Sequence, residues 1–206
     1  MPQGLTTASL RWAAGRLADA MKLHAPELNE LDGAVGDGDL GVTLARAADR
    51  LSGELSGLPD DVGLALLQCA QAFTKVSGST YGTLLATGLM AAARLAQGRT
   101  LVPWGETAAL AGAALEAMSR RGKGRLGDKT VLDAVEAIRQ AADGLDDPAA
   151  IAAAAAAAIA AARERLRGQV FRQGRARIFG ARGIGLDDPG MVALQRIVES
   201  LVEVAG

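Results

Sequence analysis

The stretch AAIAAAAAAAIAAA, Ala149–Ala162, runs for 14 residues without a charge, and only Ile151 and Ile159 carry more than a methyl group. Alanine loses no side-chain entropy on entering a helix, so this stretch is helical. It falls short of the roughly 18 apolar residues that a bilayer-spanning helix needs. A low-complexity helix that lets its neighbours approach closely is what remains. The rest of the chain has the same bias: of 206 residues, 44 are alanine, 26 are glycine and only 6 are aromatic (Phe 3, Trp 2, Tyr 1). Strands draw on aromatic and β-branched side chains in alternating runs, and these are scarce, which disfavours a sandwich or barrel of strands. The composition predicts an all-α bundle, a single domain over 1–206, long enough to bury roughly 70% of its unfolded surface.

The formal net charge is −1 with a sequence pI near 5.9, which gives no electrostatic reason to bind nucleic acid. Cys69, the one cysteine, sits among apolar residues in LLQCAQAF and has no partner for an internal disulfide. The opening MPQGLTTASLRWAAG lacks the basic segment and apolar run of a signal peptide. A cytoplasmic protein without membrane contact is the expectation.

Apolar periodicity read against helix breakers predicts about eight helices. In the first, Leu10, Ala13, Ala14, Leu17 and Met21 share one face, and Pro26 is expected to end it. The others are expected at about 41–52, 60–76, 80–97, 105–121, 130–142, 148–168 and 189–204. Asp188 is the N-cap of the last, with Pro189 at the first helical position, where its missing N–H costs nothing. Glycines gather in four connections: 33–41, 78–82, 122–127 and 168–190. A bundle brings loops at one end together, so these connections are where chemistry is sought.

In the first connection, Leu31-Asp32-Gly33-Ala34-Val35-Gly36-Asp37-Gly38-Asp39-Leu40-Gly41, three carboxylates fall within eight positions among four glycines. Like charges that close repel one another, and either water or a hard cation such as Mg²⁺, with oxygen ligands at about 2.0–2.1 Å, relieves them. A solvated turn is the plainer alternative. Gly36–Gly41 and Gly122–Gly127 both fit G-x-G-x-x-G, but neither follows a predicted strand, so a dinucleotide-binding fold fails on context. An EF-hand counted from Asp37 fails at Val42 and Ala48, where it needs glycine and glutamate. What survives is an acidic, metal-binding loop leading into a helix near Gly41, whose amides at Gly41, Val42 and Thr43 are free to accept an anion.

The second connection, Ser77-Gly78-Ser79-Thr80-Tyr81-Gly82-Thr83, suits either a Ser79 or Thr80 N-cap or a phosphate contact. In the third, Asp128 either caps a helix or faces a nucleotide, and Asp133 is expected in solvent. The fourth is the most charged: Arg163, Arg165, Arg167, Arg172, Arg175, Arg177 and Arg182, with Glu164 the only acid among them. One or two of these arginines are expected to reach a phosphate and the rest to solvate a surface or meet an acidic partner. His24, the only histidine, is expected to interact with the C-terminal end of the first helix.

Taken in order, four motifs resemble the nucleotide-binding L subunit of dihydroxyacetone kinases, a DhaL-like or DAK2 domain. They are Leu31-Asp32-x-x-x-Gly36-Asp37-Gly38-Asp39-x-Gly41; Ser77-Gly78-x-x-Tyr81-Gly82; Arg121-Gly122-Lys123 with Gly127-Asp128-Lys129-Thr130; and Gly174-Arg175-Ala176 with Gly180 and Asp188-Pro189-Gly190. The resemblance implies a closed barrel of eight antiparallel helices with ADP or ATP at one end, held through two Mg²⁺ ions. By position Asp32, Asp37 and Asp39 would be the metal ligands. Leu40, Gly41, Val42 and Thr43, together with Ser77 and Gly78, would hold phosphates and ribose; Gly122, Arg175, Asp188, Pro189 and Gly190 would enclose the nucleotide. It further implies a phosphotransferase that passes a γ-phosphoryl group to dihydroxyacetone, or a similar small ketose, held covalently by a histidine on a separate K subunit. The phosphoryl source is either free ATP or a phosphotransferase-system protein acting on bound ADP, and a homodimer is an assembly it admits. Leu40 stands where the family often has histidine, so any phosphate contact there is through backbone, and Val76 stands where Gly or Ala is common. Two alternatives stay open: a nucleotide-binding regulatory or adaptor protein without catalysis, and the nucleotide domain of a fatty-acyl kinase, which the lack of an acyl-carrying module up to Gly206 disfavours.

Overall fold

The structure, a computed structural model, describes residues 3–54, 57–76 and 79–202. Eight α-helices account for most of them: α1 (Thr7–Val35), α2 (Leu40–Gly53), α3 (Val62–Val76), α4 (Thr80–Ala96), α5 (Thr107–Gly122), α6 (Val131–Ala142), α7 (Pro148–Arg167) and α8 (Pro189–Ser200). Each packs antiparallel on the next in sequence, and α8 packs on both α7 and α1, which closes the ring. The all-α bundle expected from composition is what forms, closed into the ring that the resemblance implies. No described helix is long and apolar enough to cross a membrane.

The ring has two ends with different contents. Connections from odd- to even-numbered helices lie at one end, and these are the four glycine-rich segments. The even-to-odd connections lie at the other. There two residues of β1 (Gly4–Leu5) pair antiparallel with two of β2 (Val102–Pro103), a ladder too short to leave a periodic sequence signal.

Small side chains set the spacing of the helices. Ala18, Ala47, Ala48, Ala70, Ala86 and Ala193 are buried beside Met21, Leu28 and Leu44 in one core cluster. A second cluster, built on Met118, Ile159, Leu166 and Met191, fills the α5–α8 half. Tyr81 packs against both.

The first helix does not stop at Pro26. It continues to Val35 with the proline inside it. A proline within a helix costs about 3 kcal/mol, because it removes one backbone hydrogen bond and crowds the preceding turn. Leu28 (0% exposed) and Val35 (3%) lie beyond it, and burying each contributes about 1.5–3 kcal/mol, which offsets that cost. His24 is therefore mid-helix rather than at a terminus, with Nδ1 3.2 Å from Glu27 Oε2. Glu27 in turn receives the Arg196 guanidinium from α8 at 2.6 and 3.0 Å, joining the two helices that close the ring.

Helices α1 and α2 touch most closely at Gly41, where an added Cβ would lie 2.7 Å from Ala25 Cα and press on the Ala25 carbonyl. Backbone cannot yield there as a flexible side chain would. Gly41→Ala is expected to lower the unfolding free energy by about 3 kcal/mol in urea titrations. Gly53→Ala, whose added methyl meets nothing within 4 Å, should leave it unchanged or raise it by up to about 1 kcal/mol.

Candidate functional site

Because α1 passes Pro26, it delivers Asn29 and Asp32 on one face to the start of α2. Asp32 Oδ2 accepts the amides of Gly38 at 2.9 Å, Asp39 at 3.0 Å and Leu40 at 3.3 Å. Asn29 Oδ1 accepts those of Gly41 at 2.8 Å and Val42 at 3.2 Å, and Thr43 N–H donates to the Asp39 carbonyl at 3.0 Å. The amides of Gly41, Val42 and Thr43, expected to be free for an anion, are thus already satisfied. Asn29 supplies what sequence left open. It lies twelve residues before Gly41, and its role becomes visible only once the helix is known to run through the proline.

Asp32 Oδ2 is committed to backbone, and Oδ1 lies beside Gly36. Asp32, Asp37 and Asp39 each offer an oxygen, all within 4.8 Å of one another, and Asp37 and Asp39 are exposed. Gly36 makes room for this arrangement, since a Cβ there would stand 2.5 Å from Asp32 Oδ1. Gly38 adopts φ +77°, the left-handed region that favours glycine. Three converging carboxylate oxygens are the donor set that hard divalent cations take, so the residues fit Mg²⁺. The Arg175 guanidinium, from a 3₁₀ segment between α7 and α8, pairs with Asp37. That contact holds the Asp37 carboxyl below its ordinary range.

The other described candidates lie around the same end. Leu40 is buried in the core, so only its backbone borders the loop. Ser77 and Gly78 lie outside the described residues. Ser79 caps α4 by accepting the Gly82 amide at 3.1 Å. Gly122 ends α5 against Leu84 of α4. Asp188 caps α8 by accepting the Met191 amide at 2.8 Å, Pro189 is buried at N1, and Gly190 lies under the Tyr81 ring, where a Cβ would come within 2.9 Å. The Tyr81 hydroxyl is buried without a hydrogen-bond partner, and burial raises its pKa. The structure brings Arg175 onto the acidic loop and sets Gly190 beside the start of α4.

In the third connection Thr130, rather than Asp128, caps α6. Asp133 is buried, not solvated: it accepts the Gly127 amide at 2.6 Å and the Thr130 amide at 2.9 Å, completing a capping box whose Thr-x-x-acid spacing was present in the sequence. Asp128, also buried, accepts the Arg125 amide at 2.8 Å and closes the preceding turn. Asp187, unremarked in sequence, receives Arg163 at 2.7 Å and Arg167 at 3.1 Å, so two of the clustered arginines are partnered within the fold.

The model of the DAK2 domain matches residues 34–203. The chain belongs to the DAK2 family. Among relatives of this DAK2 domain, the Escherichia coli (strain K12) protein named "PEP-dependent dihydroxyacetone kinase, ADP-binding subunit DhaL" is 29% identical over 92% of this chain and 93% of its own. "Triokinase/FMN cyclase" of Bos taurus is 35% identical over 86% of this chain, which spans only 31% of that protein. The dihydroxyacetone kinase of C. freundii, solved in complex with AMP-PNP and Mg²⁺, superposes with a TM-score of 0.76 at 24% identity, covering 97% of this chain and 34% of that one, and shares the fold.

Around Asp188 burial pushes the carboxyl up to about 7, with the nearby charge of Asp133 adding to the rise, against the Met191 amide and Lys129. A carboxyl raised on folding is bound by its proton more tightly in the native state, so its stabilisation is complete below the usual carboxylate range and is lost as pH climbs towards 7. Asparagine caps as well as aspartate but does not titrate. The stability of wild type relative to Asp188→Asn is expected to fall between about pH 4 and pH 7 and then level off, as read by urea unfolding across that range.

Proposed function

We propose that the chain is the nucleotide-binding subunit of a dihydroxyacetone kinase. It binds ADP or ATP with two Mg²⁺ ions and passes the γ-phosphoryl group to dihydroxyacetone, or a similar small ketose, held on a separate K subunit. The observation that carries this is the convergence of Asp32, Asp37 and Asp39 opposite Arg175 at the end of a closed helical ring. The match to an Escherichia coli subunit over 93% of that subunit's length supports it.

Phosphoryl transfer asks a protein mainly for position and charge neutralisation. Asp32, through the oxygen not taken by backbone, would hold metal with Asp37 and Asp39, and bound Mg²⁺ would neutralise charge on the transferring phosphates. Arg175 offers a planar set of N–H donors suited to phosphate oxygens. Since the first amides of α2 are occupied by Asp32 and Asn29, phosphate contacts fall to Arg175, to side chains such as Thr43, and to Ser77 and Gly78. Gly122 and the Asp188-Pro189-Gly190 turn would enclose the nucleoside. With so few aromatic rings, base recognition rests on backbone and apolar contact, and discrimination between purines should be modest. The sugar-capturing histidine belongs to the partner in this reading, because His24 is tied to Glu27 on α1, packed against α8.

Asp37→Ala tests the reading directly. Calorimetry should show Mg²⁺-dependent ADP binding by wild type and its loss in the variant, with the helical circular dichroism unchanged. Unaltered ADP affinity in Asp37→Ala would remove the metal assignment. Ketose phosphorylation should appear only when a K subunit and ATP are both added, and its absence across several ketoses would favour a non-catalytic nucleotide binder.

A further inference from the structure

Lysine is seldom buried, yet Lys129 is only 2% exposed and its backbone lies in the left-handed region at φ 63°. Its ammonium donates to three carbonyl oxygens, of Gln169 at 2.9 Å, Gly183 at 3.1 Å and Arg167 at 3.3 Å, and stands 4.2 Å from the centre of the Phe171 ring. Three carbonyls converging on one point need a donor with three N–H groups, and the ammonium is the side-chain group that has them. Two of these carbonyls belong to the start of the α7–α8 connection and the third to its far side. The neck between them is tied further: Gly185 N–H donates to the Arg167 carbonyl at 2.9 Å and Arg172 N–H to that of Asp128 at 3.2 Å. Phe171, buried, seats against Gly183, where an added Cβ would lie 2.6 Å from the ring. Beyond the neck the segment is exposed, with Ile178 74% accessible, and it carries Arg175 across to Asp37.

We propose that Lys129 is a positioning residue for the nucleotide site: by gathering the Arg167, Gln169 and Gly183 carbonyls, it closes the neck of the 167–183 loop and so holds Arg175 over the acidic loop. This rests on the reading above, in which Arg175 meets the phosphates. With the neck tied, the loop gives up much of its freedom before any ligand arrives, so less ordering is left for binding to supply.

The test uses Lys129→Met, which keeps the length of the stem and removes the charge, and Gly183→Ala, which forces the neck open from the Phe171 side while leaving the ammonium in place. Trypsin cleavage mapped by mass spectrometry should become about tenfold faster within residues 172–182 in both variants, with the helical circular dichroism retained. Calorimetry with Mg²⁺ and ADP should show about tenfold weaker binding in Lys129→Met and in Arg175→Ala, and no further loss in the double variant, because both remove the same contact. Wild-type cleavage rates in Lys129→Met and Gly183→Ala, or losses that multiply in the double variant, would overturn the proposal. If Lys129→Met fails to fold, Gly183→Ala alone and combined with Arg175→Ala decides it by the same two readouts. A wild-type chain that binds no ADP would instead overturn the functional reading, and the cleavage pattern would still decide whether Lys129 closes the neck.

Discussion

Six consecutive backbone N–H groups, from Gly38 to Thr43, must find acceptors where α2 begins, and the last turns of α1 provide nearly all of them. Asp32 takes three, Asn29 takes two, and the Asp39 carbonyl takes the sixth. Four of the six residues are buried or half-buried, where an amide without a partner costs about 1–3 kcal/mol, so this set of bonds leaves the loop little alternative shape. Its shape decides where the carboxylates of Asp37 and Asp39 stand relative to the remaining oxygen of Asp32. Asp32, proposed above as a metal ligand, is equally the residue around which the loop folds.

The same economy of space runs through the ring. Alanine and glycine let α1 approach α2, and α3 approach α4, until backbone meets backbone, as Gly41 against Ala25 and Gly63 against Ala93 show. The interior is filled by alanine alongside Met21, Leu28, Leu44, Met118 and Ile159. At one end, carboxylates and arginines meet across loops instead of across helices. The Arg163 and Arg167 pairs with Asp187 fix the base of the longest of these loops.

The architecture was legible because its signals are local. Helix starts such as Asp188-Pro189, the glycine-rich breaks and the alanine content place six of the eight helices to within two residues at both ends, and the last at its start, though it stops at Ser200. The first runs past Pro26 because the burial of Leu28 and Val35, which only the assembled ring supplies, offsets the proline's local penalty. The acidic triad was legible as a cluster. What shapes the loops around it was not: Asn29 and Lys129 act on backbone groups far along the chain, and such partners leave no spacing to read. Asp133 is different, since its Thr-x-x-Asp cap is a local pattern that the sequence does carry.

The short β1–β2 ladder carries a consequence for how the chain can be joined to others. It pins the residues just before α1 beside the α4–α5 connection, at the end away from the acidic loop. Helix α8 starts at the acidic-loop end and runs the other way, and Arg16 near the start of α1 donates to the Ser200 and Val202 carbonyls after it. Both extremities of the ring therefore leave from the same face. Another module can be attached at either one while the mouth that holds Asp37 and Arg175 stays open to a partner.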